Sequence, residues 1–192
     1  MADYGIWIII AYLLGSISSA IIVCKLFNLP DPRTQGSNNP GATNVARMAG
    51  KKLAAVVLVG DALKGFIPTA MVHYLFQSPL LTGLTALAAF LGHLYPVFFK
   101  FKGGKGVATA MGGLWGLSWV FGGCFSAIWM LTYIYGRVSS LSALFAMAVT
   151  TFWIFLSEGF IVSLPIIIMC LFLFWRHRDN IKRLRSGSEN KI

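Results

Sequence analysis

The sequence predicts an all-α integral membrane protein with seven transmembrane helices, its N-terminus outside and its C-terminus in the cytoplasm, and some short helices around a Gly-rich loop. Three observations predict it. The chain has 192 residues, 57% of them hydrophobic, and a mean hydropathy of +0.73, which no ordinary soluble domain has. Its 16 Lys and Arg fall in a few tight clusters. Between the clusters, residues 5–24, 80–99 and 106–136 carry no charge, and residues 138–175 carry one, Glu158. About 20 apolar residues cross the hydrocarbon core of a bilayer. Residues 1–192 read as a single membrane-embedded domain.

The first span follows a segment with no positive charge, and its first basic residue, Lys25, comes after it. That is the reverse of a signal peptide and puts Lys25 inside. The remaining basic groups are 25–52, 100–105, Arg137 and 176–191. To hold all four on the cytoplasmic side, an even number of spans must separate consecutive groups. Residues 53–99 then hold two spans, turning near Phe76-Gln77-Ser78-Pro79. Residues 106–136 hold two, turning near Gly122-Gly123. Residues 138–175 hold two, turning at Ser157-Glu158-Gly159. Asp3 and Glu158, the two acids away from basic clusters, both land outside. The pair in 106–136 is short, so its helices are short or the Gly-rich segment before them dips into the membrane. Irregular backbone at that depth must be satisfied by protein or cavity water. A short helix beginning in a polar cavity suits an anionic ligand.

The net charge of +10 does not point to nucleic acid, because the basic residues flank apolar spans instead of forming one soluble face. Cys24, Cys124 and Cys170 lie in or beside apolar runs, and an odd count there reads as packing. No His, Cys, Asp and Glu grouping suggests a metal, and no cofactor motif is present.

Four cytoplasmic segments carry polar chemistry. The first, 31–47, holds Ser37, Asn39, Gly41, Thr43 and Asn44 and ends on Arg47. Turn residues alone would explain a flexible loop. Gly that lets backbone approach a ligand, with uncharged hydrogen bonds from Asn and hydroxyls, suits phosphate and hydroxyl groups better. The second contains Gly103-Gly104-Lys105-Gly106 ahead of a helix. It is a pliant loop able to turn N–H groups on a phosphate, or a turn with a snorkelling Lys. It is not a Walker loop, because Gly106 stands where Ser or Thr is needed. The third holds Ser139, Ser140 and Ser142, which suit helix capping or a site. The fourth, 176–185, is a basic juxtamembrane stretch suited to anionic lipid, which leaves His177 and Asn180 unexplained. Asp61 and Lys64 lie three apart on one helix face and read as a structural pair. His93 reads as a support for the Gly-rich loop.

Taken in order, Gly36-Ser37-x-Asn39-x-Gly41-Ala42-Thr43-Asn44-x-x-Arg47, then Gly92-His93-x-x-Pro96 running on to Gly103-Gly104-Lys105-Gly106-Val107-Ala108-Thr109, then Val138-Ser139-x-x-Ser142, then Arg176-His177-Arg178-x-Asn180-Ile181 resemble the PlsY family of bacterial acyl-phosphate:glycerol-3-phosphate acyltransferases. The resemblance spans essentially the whole chain. Its first two motifs are long and specific; Asn38, Pro40 and Ser140 sit at variable positions. The resemblance implies transfer of a fatty acyl group from acyl phosphate to the 1-hydroxyl of glycerol 3-phosphate. The products are lysophosphatidic acid and phosphate, with no acyl-CoA or acyl carrier protein as donor. It implies a multi-pass protein of the bacterial inner membrane whose site faces the cytoplasm among membrane lipids. On the matching positions, Lys105, His177, Ser142 and Arg47 are the expected catalytic residues. Ser37, Asn39, Gly41, Thr43, Asn44, Gly103, Gly104, Ser139 and Asn180 join them in binding substrate.

The residues fit that chemistry on their own terms. Both substrates are phosphates, and the chain offers two anion sites. His73, His93 and His177 are followed five positions later by Ser78, Phe98 and Lys182, so the His-x-x-x-x-Asp of the other glycerolipid acyltransferases is missing. An acyl phosphate is already activated, so positioning and charge neutralisation can supply most of the acceleration. The hydroxyl proton goes either to a substrate phosphate oxygen or to His177. The competing class is a transporter or channel for an organic anion. Against it, the polar residues cluster at one side, no inverted repeat is evident, and few polar residues line the spans.

Overall fold

In a computed structural model, residues 4–190 are described; Asp3 and Lys191 lie outside them. The apolar runs form helices α1 (Tyr4–Gly15), α2 (Ser19–Leu26), α4 (Lys51–Phe76), α5 (Pro79–Leu94), α6 (Val107–Leu117), α7 (Trp119–Gly136) and α8 (Ser139–Arg176). Two short polar helices, α3 (Ala42–Ala49) and α9 (Arg178–Arg185), lie between and after them. Among the described residues, five stretches are long and apolar enough to cross a membrane: Tyr4–Leu26, Lys51–Phe76, Pro79–Phe99, Trp119–Gly136 and Ser139–Arg176. The shorter apolar Val107–Leu117 adds to them.

The last stretch is two limbs. Straight, 38 residues would run about 57 Å at 1.5 Å per residue and hold its ends apart. Yet Ser140 at one end and Asn180, just past the other, both hydrogen-bond the same carboxylate oxygen of Glu189. The chain doubles back at Gly159, whose φ of 78° a side chain resists. That turn lies where the acid-bearing Ser157-Glu158-Gly159 predicts it. The turn at Phe76–Pro79 also stands: Gln77 is left-handed, Ser78 caps α5 and Pro79 opens it.

The expected turn at Gly122-Gly123 does not occur there. The break falls earlier, at Ser118, whose hydroxyl accepts from Val120 N–H at 3.2 Å. Gly122 lies inside α7, because the Trp115 ring rests on it: a Cβ there would come within 2.3 Å of Trp115 Cγ. Two glycines that look like a turn are one helix making room for an indole.

Outward faces are apolar on almost every span. Ile9, Val56, Phe152 and Ile161 are more than half exposed, which is what lipid as solvent requires. Inside, Phe90, Leu94, Leu114, Phe125, Met147, Ile154, Ile166 and Met169 form the core where α5, α6, α7 and α8 meet. Backbones approach closely between α4 and α6. A Cβ on Gly112 would stand 1.9 Å from Ala62 O, and one on Gly65 would stand 2.2 Å from Thr109 O. Small residues at helix contacts are how spans associate without a hydrophobic driving force. The first span is broken at Ser16–Ser18, between α1 and α2. Lys64 Nζ donates to the freed Ile17 carbonyl at 2.6 Å and lies 2.9 Å from Asp61 Oδ1. The Asp61–Lys64 pair read from the sequence therefore has a specific task, sealing that break.

Candidate active site

The four polar segments converge on one cavity of about 740 Å³. Its walls are polar at one end and apolar at the other. Gly36, Ser37, Asn38, Asn39, Gly41, Thr43 and Arg47 supply one polar wall. Lys105, Ser139, Ser140, His177, Asn180, Arg183, Glu189 and Asn190 supply another, and Asp61, His93 and Ser126 also line the cavity. Leu58, Val107, Met111, Phe125, Trp129 and Met130 line the apolar end.

The first loop is built from within. Arg33 grips Asp31 through Nε and Nη2, at 3.0 and 2.7 Å, and its Nη1 reaches Phe99 O at 3.1 Å. The hydrogen bond from Arg33 holds the Asp31 carboxyl below its ordinary value against partial burial. Asn44 is fully buried. Its Oδ1 accepts from Ser37 N–H at 2.9 Å, and its Nδ2 donates to Pro32 O and Gln35 O. Asn44 therefore shapes the loop and does not line the cavity. Thr43 Oγ1 meets Ser139 Oγ at 3.3 Å, which joins the first and third segments. The exposed Arg47 makes no hydrogen bond or ion pair among the described residues and lines the cavity.

The Gly-rich loop is clamped from two sides. Arg176 donates from Nε to Gly104 O at 3.1 Å and from Nη2 to Gly103 O at 2.8 Å. Gly104 N–H donates to His93 O at 3.1 Å, and a Cβ on Gly104 would come within 2.3 Å of His93 Nε2. Gly103 and Gly104 thus stand behind the cavity wall and present Lys105 to it. Lys105 Nζ donates to Asn180 Oδ1. Burial, with Arg183 nearby, lowers the Lys105 ammonium to a pKa of about 8. It stays cationic near neutrality. Helix α6 starts at the same wall, with the unpaired N–H groups of its first turn there.

His177 is 3% exposed. Its Nδ1 lies 2.8 Å from Leu173 O, an acceptor only, so Nδ1 carries the proton and Nε2 is left as an acceptor. Burial, then the Lys105 charge, lowers its pKa to about 4. The imidazole is a neutral hydrogen-bond partner at pH 7.

Helical spacing sets the face of α9. Asn180 and Arg183 lie three apart on one side. Glu189, past the end of α9, closes that side. Its carboxylate accepts from Ser140 Oγ at 2.8 Å, from Asn180 Nδ2 and from Arg183 Nε at 2.6 Å. Burial opposes its ionisation, but the hydrogen bonds from Asn180, Ser140 and Arg183 outweigh it and hold the carboxyl below its usual range. Sequence reasoning missed Glu189 and Arg183 as site residues and gave Ser140 no weight. The three-residue step from Asn180 would have found Arg183; no local signal marks Glu189. Ser142, in contrast, is buried with its hydroxyl on Val138 O at 3.0 Å, outside the cavity lining.

Comparison with known proteins adds identity to geometry. Residues 5–187 match the family model described as glycerol-3-phosphate acyltransferase. A protein of that name from Ruthia magnifica is 52% identical over 96% of this chain and 94% of its own length. One from Photorhabdus laumondii is 48% identical over 96% of this chain and 84% of its own. Among solved structures, the glycerol 3-phosphate form of PlsY, an integral membrane glycerol 3-phosphate acyltransferase, superposes with a TM-score of 0.94. It is 38% identical and covers 100% of this chain and 96% of that one. The lysophosphatidic acid form gives 0.91 at 37% identity, with the same coverage.

Proposed function

The chain belongs to the glycerol-3-phosphate acyltransferase family, and from that premise we propose that it transfers a fatty acyl group from acyl phosphate to the 1-hydroxyl of sn-glycerol 3-phosphate. The products are lysophosphatidic acid and inorganic phosphate. The observation that carries this reading is one cavity with a cationic, hydroxyl-rich end and an apolar end. The donor needs both, a phosphate at one end and a chain at the other. The acceptor needs only the polar end. Glycerol 3-phosphate and lysophosphatidic acid are what the solved PlsY forms are described as holding.

In the reaction, the glycerol 1-hydroxyl oxygen bonds to the acyl carbonyl carbon. The bond from that carbon to the phosphate oxygen breaks, and its electron pair leaves with phosphate. Lys105 and Arg47 neutralise the two phosphates. Asn180 orients Lys105, and His177 Nε2 accepts a hydrogen bond from the glycerol. The hydroxyl proton passes to a phosphate oxygen of the donor. A buried imidazole with a pKa near 4 is a poor base at neutral pH, which favours a positioning role. Among the remaining expected site residues, Ser37, Asn39, Gly41, Thr43 and Ser139 offer donors and close backbone from the cavity wall. Asn44, Gly103, Gly104 and Ser142 hold that wall in shape.

The single domain crosses the membrane seven times, counting the short α6 and the two limbs of α8. The N-terminus lies outside, and the polar end faces the cytoplasm of the inner membrane, where the basic loops lie. Purified protein given acyl phosphate and glycerol 3-phosphate is expected to form lysophosphatidic acid, and none with acyl-CoA or acyl carrier protein as donor. Absence of product with acyl phosphate refutes the reading.

A further inference from the structure

Beyond the cavity, a second apolar groove of about 290 Å³ continues along the membrane-facing side of α4 and α6. Met111 lines both spaces. The register of the two helices orders the groove. Gly112 lies against Ala62 and Phe66, and Gly116 against Phe66 and Thr69, so α4 and α6 ascend in parallel. Leu58 belongs to the cavity, Val59 comes next, and Phe66 is level with Trp115 at the far end.

The far end is a built stop. Trp115 donates from Nε1 to Ser126 Oγ at 3.0 Å, and Ser126 in turn donates to Gly122 O at 2.8 Å. The indole rests on Gly122. Trp119 meets it edge-on, ring centroids 5.5 Å apart. An indole hydrogen-bonded across to the next helix has a reason to stay put that lipid-facing packing alone does not supply.

We propose that the Trp115–Trp119 pair is an acyl-chain gauge that sets which chain length of the donor is used best. The proposal rests on the acyltransferase reading above. From Val107, at the polar end of α6, to Trp115 is about 12 Å at 1.5 Å per residue. An extended chain gains about 1.25 Å per methylene from its C–C bond length and tetrahedral angle. Roughly ten carbons therefore cover that distance. The two steps from Lys105 through Gly106 to Val107 add roughly 3 Å at the same rise. Chains of about 12 to 14 carbons end against the indoles, and longer ones must bend out past them into lipid.

The test is kcat/KM for acyl phosphates of 8 to 18 carbons in wild type, Trp115→Ala and Leu63→Trp. Removing the indole should raise the ratio of 18-carbon to 12-carbon use at least fivefold. Leu63 lines the groove three positions before Phe66, level with Gly112 and about 10 Å from Lys105 at the same rise. It is 44% exposed, so a Trp there fills the groove without disturbing the core. It should cut 16-carbon use at least tenfold while leaving 8-carbon use within twofold. Chain-length profiles that stay parallel in both variants overturn the gauge. Should Trp115→Ala fail to fold, Leu63→Trp alone decides. Wild-type protein that acylates with no donor of any length refutes the reaction itself, a distinct outcome.

Discussion

Removing the Glu189 carboxylate tests the site at its least local point. The carboxylate holds Ser140, Asn180 and Arg183 together, and Asn180 in turn holds Lys105. In Glu189→Gln, the amide oxygen takes the place facing Ser140 and Asn180, and its NH₂ then faces Arg183. Only the Arg183 bond is lost. A hydrogen bond to a charged group is worth about 1.5–3 kcal/mol. The Arg183 side chain is 41% exposed, so the loss sits at or below the low end, about 1 kcal/mol. That is a fall of roughly fivefold in kcat/KM, since about 1.4 kcal/mol is tenfold. In Glu189→Ala all three bonds go, and Asn180 and Ser140 are left with unsatisfied donors. The loss is about 3–4 kcal/mol, or several hundredfold. The assay is lysophosphatidic acid formation against glycerol 3-phosphate concentration, with thermal unfolding in detergent followed in parallel. Full activity within threefold in a folded Glu189→Ala protein refutes this account. If that variant does not fold, a Glu189→Gln protein more impaired than Lys105→Ala refutes it instead.

Lys105→Ala and Arg47→Ala should each cost about 2–5 kcal/mol of transition-state stabilisation, because each leaves a phosphate short of a charge-assisted partner. Turnover near wild type in well-folded Lys105→Ala would refute that assignment. Replacing His177 by Asn or Gln should keep kcat within about tenfold in one of the two and mainly raise KM. Equal, near-complete loss of kcat in the Ala, Asn and Gln variants, with glycerol 3-phosphate still bound, makes His177 the base, since a general base contributes roughly 10²–10⁴-fold. With its pKa lowered to about 4, His177 stays neutral from pH 8 down to about 5, so its protonation takes no activity there. With Lys105 lowered to about 8, its charge is present below that pH and lost above it. The kcat/KM profile should therefore decline as pH rises through about 8 in wild type, and a Lys105→Arg protein that retains turnover should not show that limb. A single cysteine at position 137 should label only from the cytoplasmic face; labelling from outside breaks the seven-span scheme.

Much of this molecule was legible in the chain because membrane crossing is a local property. Twenty uncharged residues either cross or they do not, and a charged cluster stays at the interface. The turns at Gln77 and Gly159 were readable for the same reason, marked by polar residues in apolar runs. The parity of the spans put Arg47, Lys105, His177 and Asn180 on one side, and the family resemblance, not composition, marked them as parts of one site. What depended on packing was hidden. Gly122 and Gly123 read as a turn, but the chain turns at Ser118 and Gly122 sits inside α7, where its missing side chain leaves room for the Trp115 indole. Asn44 and Ser142 carry the chemistry of ligands and spend it on backbone, since a buried polar group must find its partner wherever the fold supplies one. Glu189 enters the site only because α8 doubles back and α9 turns beneath it, which brings together Ser140 and Glu189, 49 positions apart. The sequence by itself determined which residues meet lipid, which meet water and which chemistry they suit. Only the tertiary structure decided which of them face the ligand and which hold the others in place, because that depends on distances between helices that local composition does not encode.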